Sequence, residues 1–474
     1  MGDFSSPEGS NMNLHRLVRL SERLFLLCCL AGAGCVSTRP AQDNSQAKAA
    51  CRVGPVDYFG WSAQQISNPW VRLVVVPQNG GRLMQVTFAG HDYLFVNPEL
   101  RGKYLPPTSA QWFNYGGDKL WLLPEGSQDE QHWVGNSDLL DDGPYSFKKL
   151  AEGQRCEIEL TSPADPQTGI QFARTISLDA DSPRIQFRAR MKNITGHTLE
   201  WSMQSVSQYS TSLSGLPTKR NPDLWGFTPT NPSSGYLLRY HVRFGPAENP
   251  AVSVRDDGLF AVHYSHWAAE LWIDSVAGWL AVVDGTSRFA MVEKFQYEAS
   301  KTYPGRASVI FWTNGPEPHF SSDGEATVGG AKDSPYYMEA ELNSPMCRLN
   351  PGEECRFDTD WYPTRTESDI HGATDAGILV RALRATQTDS GKVRITGSFG
   401  VFYAGRLVAH FYDERGAGLG AAQVADVTPT ELVDLKADTT PAGRAARVSL
   451  HLVDQNGVDR GPLQEVRIGE PNDR

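Results

Sequence analysis

The stretch NYGGDKLWLLPEG, Asn114 to Gly126, sets an acid and a base side by side after a Gly-Gly pair. Neighbouring residues of an extended chain point to opposite faces, so Asp118 and Lys119 cannot serve the same surface. Asp118 is a candidate proton donor or hydroxyl acceptor, and Lys119 a candidate for contact with a ligand. The competing reading is structural: Gly116 and Gly117 permit positive φ in a turn, and Trp121 and Leu123 pack inward. Gln204 and Gln208 in WSMQSVSQYS share a strand face with Val206, and two amides projecting together suit ligand hydroxyls. Glu339 and Glu341 in YYMEAEL also share a face; Glu339 is the preferred candidate base because Met338 and Leu342 mark the opposite side as packed. Arg82 follows Gly80 and Gly81, which place its guanidinium at the mouth of a tight turn. Each of these has a plainer alternative in a buried ion pair or a solvated strand face.

The loop EGSQDEQHWVGNSDLLDDG holds six acids and no Lys or Arg. It offers oxygen ligands for a hard cation but lacks the fixed alternation of a dedicated calcium loop, so it reads as a solvated lid. His132 and Trp133 within it are placed to touch a ligand under that lid. His263 and His266 lie three apart in a strand-like context and face opposite sides, which removes them as a metal pair. No Cys-His spacing suggests zinc, no dinucleotide or phosphate loop is present, and no G-x-S-x-G elbow appears. The expectation is therefore no metal and no cofactor.

These residues are carried by β-structure. VRLVVVP, RLMQVTF and DYLFVN are short strand candidates divided by Gly and Asn turns. RIQFRARMKN alternates, with Ile185, Phe187, Ala189 and Met191 on one face and Gln186, Arg188, Arg190 and Lys192 on the other. Similar strands continue to CRFDTDWY without a capped helical period, which predicts an all-β chain with a large double-sheet structure over residues 53–365. After a linker at residues 366–377, residues 378–474 restart the alternation in the manner of a small Ig-like β-sandwich, a spacer or docking module for a protein partner that the sequence does not name.

The remaining composition bounds the setting. A net charge of −11 without a Lys/Arg stripe argues against nucleic acid as a partner. Twelve Trp and sixteen Tyr suit either sugar faces or sandwich cores. Residues 1–35 read as a targeting segment. Arg16, Arg19 and Arg23 precede the apolar run Leu24 to Ala33, too short to span a bilayer. Two processing readings stand: an A-x-A site ending at Ala33, or a lipobox-like GAGC with Cys35 as the lipidated residue, the one favoured. Residues 36–52 form a polar tether. Export to the periplasm or cell surface, with membrane attachment through a lipid anchor only, is the expectation. Cys51, Cys156, Cys347 and Cys355 form an even set. They read either as disulfides, Cys347 with Cys355 across the NPGE turn and Cys51 with Cys156, or as free buried thiols.

Three segments in order, VRLVVVPQNGGRLMQVTFAGHDYLFVNPE, NYGGDKLWLLPE and GWLAVVDG…FAMVEKFQYEASKTYP…YMEAELNSPMCRLNPGEECRFDTDWYP, resemble an uncharacterised bacterial family of the galactose-mutarotase-like (aldose 1-epimerase-like) superfamily. The resemblance spans Tyr58 to Pro363. It implies a β-supersandwich with a concave sheet holding a carbohydrate, and acid/base chemistry in which a carboxylate takes the anomeric proton and a histidine protonates the ring oxygen. It implies a base such as Glu339, and it adds Lys294, since relatives keep a basic residue near that position. Relatives often carry histidine immediately after Gly-Gly, where this chain has Asp118. The expected function is an exported carbohydrate-binding protein with epimerase- or lyase-like chemistry; the alternative is a non-catalytic cell-envelope lipoprotein scaffold that docks a partner.

Overall fold

A computed structural model of the chain describes residues 50–107, 113–124, 139–214, 216–264, 268–314, 319–320, 326–327, 337–388 and 390–469. Cys35, the targeting segment, His132 and His266 lie outside the described residues. Among the described residues every regular element is a strand, apart from short 3-10 turns at Pro98–Leu100 and Pro304–Arg306. The fold class is all-β.

The first large sheet has twelve strands. Its middle runs Val71–Val76, Arg82–Phe88, Asp118–Leu123, Leu199–Ser210, Tyr337–Asn343, Val309–Asn314, Ala269–Ile273, and it ends at His241–Phe244. The second has ten, with Leu224–Pro229, Trp279–Asp284, Phe289–Phe295, Glu354–Arg365, Ile185–Asn193 and Ile170–Asp179 at its centre. Their facing sides interlock in one core. Leu73, Leu83, Met203 and Met338 from the first sheet meet Phe172, Phe187, Met291 and Trp361 from the second. The apolar alternation of Ile185–Asn193 has this cause: Ile185, Phe187, Ala189 and Met191 are buried, while Arg188 reaches Asp360 at 3.0 Å and Arg190 reaches Glu159 at 2.8 Å on the wet side.

Val71–Val76 is apolar from Leu73 onward because that part is covered on both sides, while Arg72 is exposed. Leu73 and Val75 enter the inter-sheet core, while Val74 and Val76 pack with Trp61, Met84 and Tyr115 in a separate small cluster on the other side. Disulfides join Cys51 to Cys156 and Cys347 to Cys355, with Cα–Cα separations of 5.7 and 6.4 Å.

A third sheet of eight strands spans Gly372 to Gly469. It folds over a core of Ile395, Phe399, Leu407, Phe411, Val448 and Leu450. That core continues into Phe227, Ala281, Ala290, Val292 and Tyr362 on the back of the ten-stranded sheet. Residues 366–377 take part in this packing, since Thr366, Ile370 and Ala376 are buried. Among the described residues the three sheets stack in one compact body.

Candidate functional site: the outer face of the twelve-stranded sheet

The Gly-Gly turn fixes where the acid and the base go. Gly116 and Gly117 have φ of 89° and 75°. A Cβ on Gly116 would lie 2.3 Å from the Phe95 carbonyl oxygen, and one on Gly117 would lie 2.6 Å from that of Leu83. No side chain fits, so the turn is architecture. It delivers Asp118 as the first residue of a buried strand, opposite Leu83 and Ser207.

Asp118 points into the inter-sheet core. It is fully buried, ion-paired with Arg174 of the ten-stranded sheet, and accepts hydrogen bonds at 3.3 Å from Ser205 Oγ and Ser207 Oγ. Burial pushes its carboxyl above the usual range, against the pull of Arg174. A second carboxylate shares this core. Glu293 accepts from Tyr209 Oη at 2.6 Å, and burial foremost pushes it up to about 8. Glu293 is therefore protonated at neutral pH, close to the Arg174-paired Asp118.

Lys119 points the other way. Its Nζ lies 3.0 Å from Asp141 and 3.7 Å from the centroid of the Trp121 ring. Arg82, buried at the head of its strand, reaches the same Asp141 at 2.7 Å, reaches Asp142 at 3.4 Å, and donates to the Gly116 carbonyl at 3.3 Å. Asp141 thus joins the base of the Gly-Gly strand to the arginine of the Gly80–Gly81 turn. Burial lowers the Lys119 ammonium, with Asp141 opposing the shift. Burial and then the adjacent Asp141 raise Asp142 to about 7.

The strand register carries this face across the sheet. One row runs Lys119, Val206, Glu341, Ile310, Trp272, His241 through successive paired strands. The adjacent row runs Gln208, Glu339, Trp312, Glu270, Phe244. Gln208 donates to Glu339 at 2.7 Å, Gln204 donates to Glu341, and Trp272 donates to Glu270 at 2.6 Å. Phe244 and Trp312 stack with centroids 5.5 Å apart. Burial raises the Glu270 carboxyl. The face therefore sets three carboxylates and two amides among flat aromatic rings, with Lys119 at one end.

Arg82, Lys119, Gln204, Gln208 and Glu339 are brought together on this one side of the sheet. Asp118 faces the core behind it, and Lys294 lies elsewhere. The Lys294 side chain projects from the back of the ten-stranded sheet, where Nζ donates to the Thr374 carbonyl at 3.1 Å and pairs with Asp375. Lys294 accordingly ties the sandwich to the third layer. Asp141, Glu270, Trp272 and Trp312 join the face without having been singled out in the sequence. Alternation in AELWI places Glu270 and Trp272 on a common side, but only the strand order puts that side beside Glu339.

A cavity of about 530 Å³ opens elsewhere, lined among others by Tyr58, Phe59, His91, Asp92, Arg101 and Asp284. It shares no side chain with the two rows. The rows are preferred as the candidate site because strand register aligns their acids, amides and rings across five strands, whereas the cavity sets one imidazole, His91, stacked on Phe289 at 4.5 Å, among Asp92, Glu99, Asp284 and Arg101.

No protein-family model matches the chain, and no curated protein matches it significantly. Solved structures similar to it include a TPR-domain containing protein from Parabacteroides distasonis, with 13% identity, TM-score 0.41 and 64% of this chain covered, of whose length this chain spans 47%. A galactose mutarotase-like protein from Lactobacillus casei has 8% identity and TM-score 0.43, with 64% of this chain and 100% of that chain covered. Galactose 1-epimerase from Lactobacillus acidophilus has 14% identity and TM-score 0.38, with 66% and 99% covered. Galactose mutarotase-like and aldose 1-epimerase-like proteins are thus among the structural neighbours of this chain, at low sequence identity.

Proposed function

We propose that the outer face of the twelve-stranded sheet binds a carbohydrate and performs acid/base chemistry at its anomeric centre. The supporting observation is the pair of register rows that align Lys119, Gln208, Glu339, Glu341 and Glu270 with Trp312, Trp272 and Phe244. Aromatic rings offer flat apolar contact to a sugar face, while carboxylates and amides take its hydroxyls. Lys119 and Glu339 lie two strands and one register row apart, and Glu339 acts electrostatically on the Lys119 ammonium, so the two serve one region of the face. In this reading Glu339 takes the proton of the anomeric hydroxyl and Lys119 protonates the ring oxygen. The ring opens and closes again on the opposite face.

Several polar groups on the face already have partners: Gln208 on Glu339, Gln204 on Glu341, Trp272 on Glu270 and Lys119 on Asp141. This supports a second reading, a binding protein or scaffold without turnover. Polarimetry of freshly dissolved aldoses, beside a glycan array, separates the two. Accelerated mutarotation that is lost in Glu339→Gln supports the catalytic reading; binding without acceleration supports the second. No binding to any sugar across the array overturns the carbohydrate reading, catalytic or not.

Export and attachment through Cys35 belong to the same proposal. The two disulfides favour an oxidising compartment. Mass spectrometry of the mature N-terminus tests it: a lipid-modified Cys35 is expected, and a free Gly34 terminus would refute lipidation.

A further inference from the structure

The third layer carries its own cluster of ligating side chains, far in sequence from the residues of the carbohydrate proposal. His410, His451 and Asp459 come from three consecutive strands of the eight-stranded sheet, Gly405–Tyr412, Arg447–Asp454 and Asp459–Gly469. Register explains the meeting. His410 pairs with Ser449, two residues before His451, so both imidazoles share a face. Asp459 pairs with Val453, which brings its carboxylate alongside His451.

The imidazole centroids are 4.7 Å apart. His451 Nδ1 lies 2.9 and 3.1 Å from the two carboxylate oxygens of Asp459, and Nε2 lies 3.1 Å from Ser449 Oγ. One ligand atom from each of the three residues can be chosen so that all lie within 4.8 Å of one another. Among the described residues no hydrogen-bond partner meets the ring nitrogens of His410, a half-buried side chain.

We propose that His410, His451 and Asp459 form a binding site for a divalent transition metal, with Zn²⁺ as the ion the ligand set suits best. Two imidazoles and one carboxylate match zinc and exclude the all-oxygen preference of calcium and magnesium. Ligand atoms about 2.1 Å from a tetrahedral ion stand roughly 3.4 Å apart. The His451–Asp459 pair is already near that spacing, and rotation of the half-exposed His410 and exposed Asp459 side chains closes the remainder. On binding, zinc takes the Nδ1 lone pair of His451 in place of the hydrogen bond to Asp459, the single ring proton resides on Nε2 facing Ser449 Oγ at 3.1 Å, and water fills the fourth position. An ion held by three strands clamps the outer layer of the molecule.

The test uses the whole chain freed of metal with a chelator. Titration calorimetry with ZnCl₂ is expected to give one ion per chain, and Co²⁺ is expected to show the visible absorption of a four-coordinate site. Asp459→Asn and His410→Asn should each weaken zinc binding by roughly 10- to 100-fold, with unchanged far-UV circular dichroism reporting that the sheet is folded. Zinc should also raise Tm in the parent and not in the variants. No stoichiometric zinc binding, or binding of equal strength in both variants, overturns the proposal and leaves His451–Asp459 as a surface hydrogen bond. Glu339→Gln should leave zinc binding unchanged, so the outcome is independent of the carbohydrate reading.

Discussion

Asp118 and Lys119 are consecutive in the chain and serve opposite sides of one sheet. Asp118 is ion-paired with Arg174 in the inter-sheet core, while Lys119 lies 3.0 Å from Asp141 on the outer face. A dipeptide that looks like an acid/base pair is therefore divided between stability and the candidate site. Asp118→Ala should strand Arg174 in the core and cost about 3–5 kcal/mol in urea unfolding, as breaking a buried pair does. Folded protein should keep any sugar affinity. A stable Asp118→Ala protein with lost binding would place Asp118 in the site after all.

Lys119→Met and Glu339→Gln act on the face itself. If Glu339 is the base, its amide variant should lower kcat by roughly 10²–10⁴ with little change in KM. Trp312→Ala should instead raise KM, because it removes ring contact shared by substrate and transition state. Equal losses in all three, tracking a loss of secondary structure, would point to a packing role.

Glu293 makes stability depend on pH. Its folded value of about 8 lies above the ordinary 4.5, chiefly because burial penalises the charge. Between those values the folded chain holds a proton that the unfolded chain has released. Its stabilising contribution is full below the unfolded value and is lost as pH rises through about 8, with a slope of at most about 1.4 kcal/mol per pH unit. Glu293→Gln, which mimics the neutral acid, should flatten this decline in urea midpoints measured from about pH 5 to about pH 9. Parallel curves for parent and variant would remove Glu293 as the cause.

The two disulfides should differ in weight. Loop closure over 105 residues for Cys51–Cys156 corresponds to about 4.7 kcal/mol, against about 2.5 kcal/mol over 8 residues for Cys347–Cys355. Replacing Cys51 and Cys156 together by alanine should therefore lower the urea midpoint more than replacing Cys347 and Cys355. The reverse order would show that strain or residual denatured-state structure dominates.

Much of this was legible in the chain before any tertiary contact. Alternation in Ile185–Asn193, the flanking Met338 and Leu342, and the glycines before Asp118 specify strands, inward faces and a tight turn, because period and backbone freedom are local properties. Locality also explains why Gln204 and Gln208, or Glu339 and Glu341, are recognised as sharing a face. What the sequence could not determine is which of two faces becomes core and which strands lie side by side. Asp118 went to the core because Arg174, on the opposing sheet, compensates its charge there. Lys294 left the site because its strand lies in the other sheet and its face is covered by the third layer. Glu270 and Trp312 joined the site because strand order set them in one row with Glu339. Hydrophobic periodicity is encoded residue by residue, whereas sheet order and the pairing of buried charges are long-range, and only the packed structure decides them.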